Sequence, residues 1–198
     1  MRFTTRRRLV VAAVFGAAAI GLTACSGNGS GMPGMDHPNT GSMAPGTGHA
    51  QGDVEFAQMM IPHHQQALTM SDLAATRAQD AEIKTLAKTI TAGQQPEIAT
   101  LTGWGQPTAQ PGGHDMTGMG AMPGMMTDEQ LQQLQAASGT AFDRMYARMM
   151  IAHHNGAIQM ANQVLGTTAN TDVKAFAQRV VAAQTAEVNQ LQTILDRL

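Results

Sequence analysis

Cysteine, aromatic residues and charged residues are all scarce in this sequence. Cys25 is the only cysteine among 198 residues, which excludes a disulfide framework and a thiolate metal site. Any metal ion must therefore be held by methionine, histidine or carboxylate side chains. Charged residues make up 13% of the chain and aromatic residues 4%, and no basic stripe with interleaved aromatic residues occurs. This composition argues against a nucleic-acid partner.

A long apolar run is lacking too. Residues 1–24 have a basic start, an apolar run shorter than the roughly 20 residues of a membrane-spanning helix, and a small-residue end, which together predict a lipoprotein signal peptide. The last four residues of the segment 1–25 resemble a bacterial lipobox. We therefore expect a lipid on Cys25 that anchors the exported protein to the outer face of the cell membrane, or to the periplasmic face of the envelope. Removal of residues 1–24 takes four of the 12 basic residues and none of the 14 acidic ones, which leaves a net charge of about −6.

Two segments are rich in Gly and Pro and too poor in apolar residues to order themselves. Residues 25–52 are predicted to form a flexible tether, and residues 105–126 a linker between two helical halves. Both contain Met, an oxidisable residue that exposed loops rarely use. We predict that they capture copper or silver, the alternative being an accident of composition. The candidate donors are Met32, Met35, His37, His114, Met116, Met119, Met122, Met125 and Met126.

The rest of the chain is an internal duplication. Residues 53–101 align with residues 143–191 without a gap, and the repeat units extend over 53–104 and 140–198. A helical spacing of apolar residues predicts two helices in each unit. Since each helical hairpin has one apolar stripe to bury, the two hairpins should pack face to face. The prediction is an all-α four-helix bundle with pseudo-twofold symmetry.

Local signals give the helix boundaries. In the first unit we expect helices over about residues 53–77 and 81–103. In the second unit, Thr140 or Asp143 should open the first helix and Asn170 with Thr171 the second, while Asp53 should open the first helix of the chain. A capping box of Thr127 and Gln130 predicts a short extra helix over residues 128–137. Pro62 conflicts with its helix and should cost about 3 kcal/mol or force a kink.

One cluster of sulfur and imidazole side chains occurs twice. Residues 59–64 read MMIPHH and residues 149–154 read MMIAHH, and another Met follows six residues after each second His. Residues three and four apart are neighbours on a helix, so each copy presents its donors on adjoining parts of one surface. With the hairpins face to face, the histidines could approach each other across the bundle. The predicted metal ligands are Met59, Met60, His63, His64, Met70, Met149, Met150, His153, His154 and Met160.

The donor types predict the metal. Thioether sulfur suits Cu(I) or Ag(I), imidazole suits copper and zinc, and zinc more often uses Cys, His and carboxylate ligands. Copper is therefore expected, with Cu(I) favoured and silver or zinc as weaker alternatives. A ferritin-type di-iron centre would need Glu-x-x-His pairs, which are missing here. The alternative is that the methionines only fill the core, although four buried imidazoles would each still need a hydrogen-bond partner.

Each unit also repeats a Gln and a Glu on the apolar stripe of its second helix. Buried polar groups require partners, and the imidazoles are the nearest available. We predict that these side chains orient the histidine nitrogens, the alternative being a solvated edge. They are Gln94, Glu97, Gln184 and Glu187.

The duplicated motif resembles that of a known family. FxxMMIxHHxxAxxM at residues 56–70 and YxxMMIAHHNGAxxMA at residues 146–161 resemble the bacterial domain-of-unknown-function family DUF305, over nearly all of residues 53–198. The resemblance implies a ferritin-like four-helix bundle in an exported protein, with some family members associated with copper handling. It also implies that the repeated Met and His residues form the metal site.

Three functions fit these observations. The first is a membrane-tethered metal-binding protein that sequesters copper, or transfers it to an unidentified partner, without enzymatic turnover. The second is a copper-dependent oxidoreductase. The third is a metal-free helical interaction module of the cell envelope.

Overall fold

The computed structural model describes residues 49–105 and 122–198. Within these ranges the chain is all-α, as predicted, with helices α1 (Gln51–Arg77), α2 (Ala81–Trp104), α3 (Asp128–Ala136), α4 (Gly139–Leu165) and α5 (Thr171–Arg197). None of these helices is long and apolar enough to cross a membrane. The predicted signal peptide and lipidation site, and six of the predicted linker donors, lie outside the described residues: Cys25, Met32, Met35, His37, His114, Met116 and Met119.

Side chains at the N-termini define where three helices begin. Asp80 and Asn170 each accept hydrogen bonds, at 2.8–3.2 Å, from the backbone N–H groups two and three residues further on, at the starts of α2 and α5. Thr127 and Gln130 form the predicted capping box at the start of α3. These contacts satisfy N–H groups that have no partner within the helix.

The two helical hairpins meet through α1 and α4. The first hairpin pairs α1 with α2, the second pairs α4 with α5, and the outer helices α2 and α5 touch each other little. His63 contacts His153 and Ser71 contacts Tyr146, so α1 and α4 run antiparallel. The predicted four-helix bundle of two duplicated hairpins is confirmed, and the short α3 packs against α1 and α4.

Two apolar clusters form the core on either side of the central histidines. The first core cluster includes Phe142 and Tyr146, whose rings stack with centroids 5.8 Å apart. The second core cluster includes Phe56 and Phe176, edge to face at 6.3 Å, with Trp104 packed on Phe176 at 5.1 Å. Burial of these side chains is the main source of the stability of the bundle.

The helices differ slightly from the predicted boundaries. α1 begins at Gln51, inside the predicted tether, and α4 begins at Gly139, which has a φ of 61°. α1 is continuous through Pro62, and the neighbouring Met60 and His63 are fully buried. Tertiary packing on both sides of Pro62 therefore outweighs its unfavourable helix propensity.

Of the two residues predicted to open α4, Thr140 lies in its first turn, whereas Asp143 does not open the helix. Asp143 lies inside α4, is 1% exposed, and accepts hydrogen bonds at 3.0–3.3 Å from the backbone N–H groups of Gln79 and Asp80. Those two residues belong to the loop between α1 and α2. The carboxylate thus ties the second hairpin to the turn of the first hairpin. The equivalent Asp53 is also buried, in the first turn of α1.

Replacement of Asp143 by Ala should lower the free energy of unfolding by about 2 kcal/mol, because two backbone N–H groups of the α1–α2 loop lose a buried, charged acceptor. Urea denaturation measures this loss. Asp72→Ala, on the exposed face of α1, is the matched control and should change the stability by less than about 0.5 kcal/mol. Equal losses in the two variants would contradict the role of Asp143.

Candidate metal centre

Two imidazole rings lie in contact at the centre of the bundle, tilted relative to each other. The rings of His63 on α1 and His153 on α4 have centroids 3.8 Å apart and an interplanar angle of 39°. The ring of His154 lies 6.3 Å from that of His153. All three residues and His64 are 0% exposed. The packing of α1 on α4 therefore brings the four repeated histidines into one buried group.

Burial keeps the central pair neutral. It lowers the pKa of His63 to about 4, an effect that a hydrogen bond to the Pro123 carbonyl partly opposes and that the nearby His64 and His154 reinforce. Burial lowers the pKa of His153 as well, and the other three imidazoles lower it further. At neutral pH both rings are therefore uncharged. This is the state in which imidazole binds metal ions.

Two carboxylates hold the outer histidines. The Nε2–H group of His64 donates to Glu97 Oε2 at 2.8 Å. In the second hairpin, His154 Nε2 and Glu187 Oε2 are also 2.8 Å apart, although the carboxylate lies off the line of the ring N–H bond. The short distance and the equivalent pair in the first hairpin identify this contact as the same kind of interaction. Both Glu side chains are thus placed to orient imidazoles.

His63 has a hydrogen-bond partner that the sequence did not indicate. The Nε2–H group of His63 donates to the backbone carbonyl of Pro123 at 3.0 Å. Pro123 belongs to a turn closed by a hydrogen bond from Met125 N to Met122 O at 3.2 Å, and Gly124 has a φ of 77°. Proline followed by a glycine with positive φ is typical of a type II turn. The last residues of the predicted linker are therefore packed on the bundle.

These contacts leave specific nitrogen atoms available. A neutral imidazole that donates through Nε2 carries its lone pair on Nδ1. The Nδ1 atoms of all four histidines are buried and have no hydrogen-bond partner among the described residues, and neither has Nε2 of His153. Buried polar atoms are rarely left without a partner. The residues present therefore fit a metal ion bound through Nδ1.

The predicted methionine ligands divide between the two core clusters. Met60 and Met160 belong to the second core cluster, against which the half-buried Met59 packs. Met70, Met149 and Met150 belong to the first core cluster. The antiparallel arrangement causes this division, because the residues that follow His63 on α1 lie opposite those that precede His153 on α4. Met60 and Met150 remain the nearest thioethers along each helix, three residues before His63 and His153.

Within residues 49–105 and 122–198, no three His, Cys, Asp or Glu side chains come together closely enough to hold a metal ion. Methionine side chains are the other soft donors near the pair along each helix, and thioether donors would favour soft monovalent ions over zinc.

The remaining predicted residues differ in their burial and in their contacts. Gln94 and Gln184 are 4% and 2% exposed, but neither side-chain amide has a hydrogen-bond partner in the described part of the chain. Of the predicted linker donors, Met122 and Met125 are half-buried and Met126 is 9% exposed in the first core cluster. The prediction of a disordered linker was therefore wrong for residues 122–126.

The fold and the site define a class of protein. It is a duplicated four-helix bundle that buries a pair of histidines, with a methionine three residues before each of them. The family model described as "Domain of unknown function (DUF305)" matches residues 53–195, and the chain belongs to this family. No curated protein matches the sequence.

Solved structures show the same fold. A DUF305 protein from Streptomyces coelicolor is 32% identical, with a TM-score of 0.67, and the match covers 74% of this chain and 93% of that one. A DUF305 fragment from Deinococcus radiodurans is 28% identical, with a TM-score of 0.65, over 76% and 99% of the two chains. CopM in a Cu(I)-bound form is 30% identical, with a TM-score of 0.59, over 73% and 96%. CopM structures with Cu(II) and with Ag are similar as well.

The metal-free protein should lose stability as the pH falls from about 6.5 to 4. In this range the unfolded chain binds a proton at His63 while the native state does not, so the stability is fully present above pH 6.5 and is lost below it. His63 alone should contribute about 3 kcal/mol to this loss. Urea denaturation at several pH values measures it.

The combined variant His63→Gln/His153→Gln should flatten this pH dependence. His49→Gln, at a histidine outside the bundle centre, should retain it. An unchanged pH slope in the double variant would show that other groups cause the effect.

Proposed function

We propose that this protein binds copper as Cu(I) outside the cytoplasm, for sequestration or for transfer to another protein. The observation that carries the proposal is the group of four buried histidines whose Nδ1 atoms have no hydrogen-bond partner among the described residues. A purely structural core would leave several buried nitrogen atoms unsatisfied, at a cost of about 1–3 kcal/mol each. A bound soft cation would remove this cost for the nitrogen atoms that coordinate it.

The proposed ligand set is neutral. His63 and His153 would supply nitrogen, and Met60 and Met150 sulfur from the adjacent helical turns. A monovalent ion brings less charge into a buried site than a divalent ion and is less costly to desolvate. Soft neutral donors in a buried site therefore support Cu(I), with Ag(I) as the closest chemical substitute.

The solved CopM structures support copper as the metal ion. CopM, which is 30% identical to this chain, has been crystallised with Cu(I) and with Cu(II), and also with Ag. Binding of both copper and silver is the selectivity that thioether and imidazole donors produce. We propose the same preference for this protein, without enzymatic turnover, because donors that favour Cu(I) oppose cycling to Cu(II).

The export signal and the lipobox-like sequence support a location on the outer side of a membrane. The relative from Streptomyces coelicolor is provisionally described as a secreted protein. We propose that a lipid on Cys25 tethers the bundle, and that the Met-rich segments bind copper weakly. Their sulfur atoms would pass ions to the bundle or to a partner protein.

The His63→Gln/His153→Gln variant should lose the tight Cu(I) site, since both central nitrogen donors are removed while side-chain volume is largely kept. We expect the affinity to fall by more than the roughly 10- to 100-fold that is typical when a residue that only orients a ligand is removed. Competition with a chromogenic Cu(I) chelator measures this, and circular dichroism verifies the fold. His49→Gln is the matched control and should bind Cu(I) like the unchanged protein. An unchanged Cu(I) affinity in the double variant would refute the site.

Glu97→Gln and Glu187→Gln should each lower the Cu(I) affinity by about 10- to 100-fold, because the variant loses a negative charge near the ion and the contact that holds the outer histidine in place beside the central pair. The stoichiometry should stay the same. Glu129→Gln, at an exposed position in α3, should bind Cu(I) like the unchanged protein. If all three variants bind equally well, the two carboxylates do not support the site.

A further inference from the structure

The turn at residues 122–127, called the strap below, bridges the two helices that carry the histidine pair. On the α1 side, His63 donates to the Pro123 carbonyl. On the α4 side, Gly124 approaches the backbone of Ala152 and Gly156 so closely that a Cβ atom on Gly124 would lie 2.5 Å from the Ala152 carbonyl oxygen. The strap therefore spans the α1–α4 groove directly over the histidine pair.

Two glycines make this close approach feasible. A Cβ atom on Gly156 would lie only 1.9 Å from the Pro123 carbonyl oxygen, and Gly124 also has a positive φ. Glycine inside a helix lowers the stability of that helix by about 1 kcal/mol relative to Ala. Its presence at position 156, in the middle of α4, is explained by the room that the strap requires.

Gln66 fastens the strap to α1. Its side-chain oxygen accepts from the N–H group of Met126 at 2.7 Å, and its side-chain nitrogen donates to the carbonyl of Met126 at 2.9 Å. The amide thus pairs with both polar groups of one residue. This pairing holds Met126 in the first core cluster.

Gln66 and Gly156 occupy the same position of the two repeat units. One unit contributes the side chain that fastens the strap, and the other contributes the space that receives it. The contact makes the two halves unequal. His63 receives a carbonyl acceptor from the strap, whereas neither nitrogen of His153 has a partner among the described residues.

We propose that the strap is a closing element of the copper centre, and that Gln66 is the latch that sets how fast Cu(I) enters and leaves. This inference rests on the proposed function. The strap fixes His63 in the tautomer that presents Nδ1, and it covers the groove between solvent and the histidine pair. The half-buried Met122 and Met125 flank the turn, so an ion that passes its edge meets thioether sulfur first.

The test measures the strap and the metal separately in the whole chain. In metal-free protein, hydrogen exchange at the Met126 amide reports on the strap, and ¹⁵N shifts of the His63 ring report on its tautomer. In Cu(I)-loaded protein, stopped-flow transfer to a chromogenic chelator reports on release. Gln66→Ala should remove protection of the Met126 amide and speed the release of Cu(I) about tenfold. Gln65→Ala, at the exposed neighbouring position, should change neither.

A second variant tests the same element from the other helix. Gly156→Ala should displace the strap, remove the acceptor of His63 and also speed the release of Cu(I). Gly93→Ala is its matched control, since a Cβ atom there would meet nothing within 4 Å. If Gly156→Ala fails to fold, Gln66→Ala still decides the question.

The outcomes separate the two proposals. Full protection of the Met126 amide in Gln66→Ala would overturn the latch. Loss of that protection with an unchanged rate of Cu(I) release would overturn the gating role, while the copper function stands. A wild-type protein that takes up no Cu(I), yet protects the Met126 amide, would overturn the copper function and with it the gating role.

Discussion

The contact between His63 and His153 requires that both rings stay neutral, because two positive charges with centroids 3.8 Å apart would repel strongly in a buried site. Desolvation supplies this neutrality by disfavouring the charged form of each imidazole. Neutral rings still have one N–H group that needs an acceptor. The Pro123 carbonyl satisfies His63, and the carboxylates of Glu97 and Glu187 lie against the outer histidines. The polar centre of the bundle is thus arranged around donors that keep a free lone pair.

Duplication explains most of this arrangement, and the strap explains its asymmetry. Two copies of one hairpin related by a pseudo-twofold axis bring His63 of α1 against its counterpart His153 on α4, and place Met60 and Met150 in different core clusters. The strap contacts His63 and Gln66 on one side and Gly156 on the other, so it lies close to that axis, where only one such segment fits. Divergence of a single repeat position, Gln66 against Gly156, is therefore enough to make two similar half-sites different.

The sequence was sufficient to predict the bundle and the proximity of the repeated histidines, because helical periodicity and an exact ninety-residue repeat can both be seen in the sequence alone. It was insufficient for contacts made by backbone groups across about sixty residues, such as Pro123 with His63, since these depend on how the helices pack. Two signals could have indicated the strap. MPGM at residues 122–125 repeats residues 32–35 at the same spacing as the histidines, and Gly156 lies inside a helix. No comparable pattern in the sequence indicates the roles of Asp143 and Gln66.

In the described part of the chain, negative charge reaches the centre of the bundle only at its edge. The imidazole and thioether groups are neutral, and within residues 49–105 and 122–198 the carboxylates that contact the repeated histidines are those of Glu97 and Glu187. Their side chains are 23% and 14% exposed, which keeps the carboxylates partly hydrated while they face the buried rings. The two carboxylates together carry two negative charges, which exceed the charge of one Cu(I) ion and equal that of one Cu(II) ion, so charge balance does not select between the two ions. A preference of the proposed site for Cu(I) therefore rests on the softness of the thioether donors.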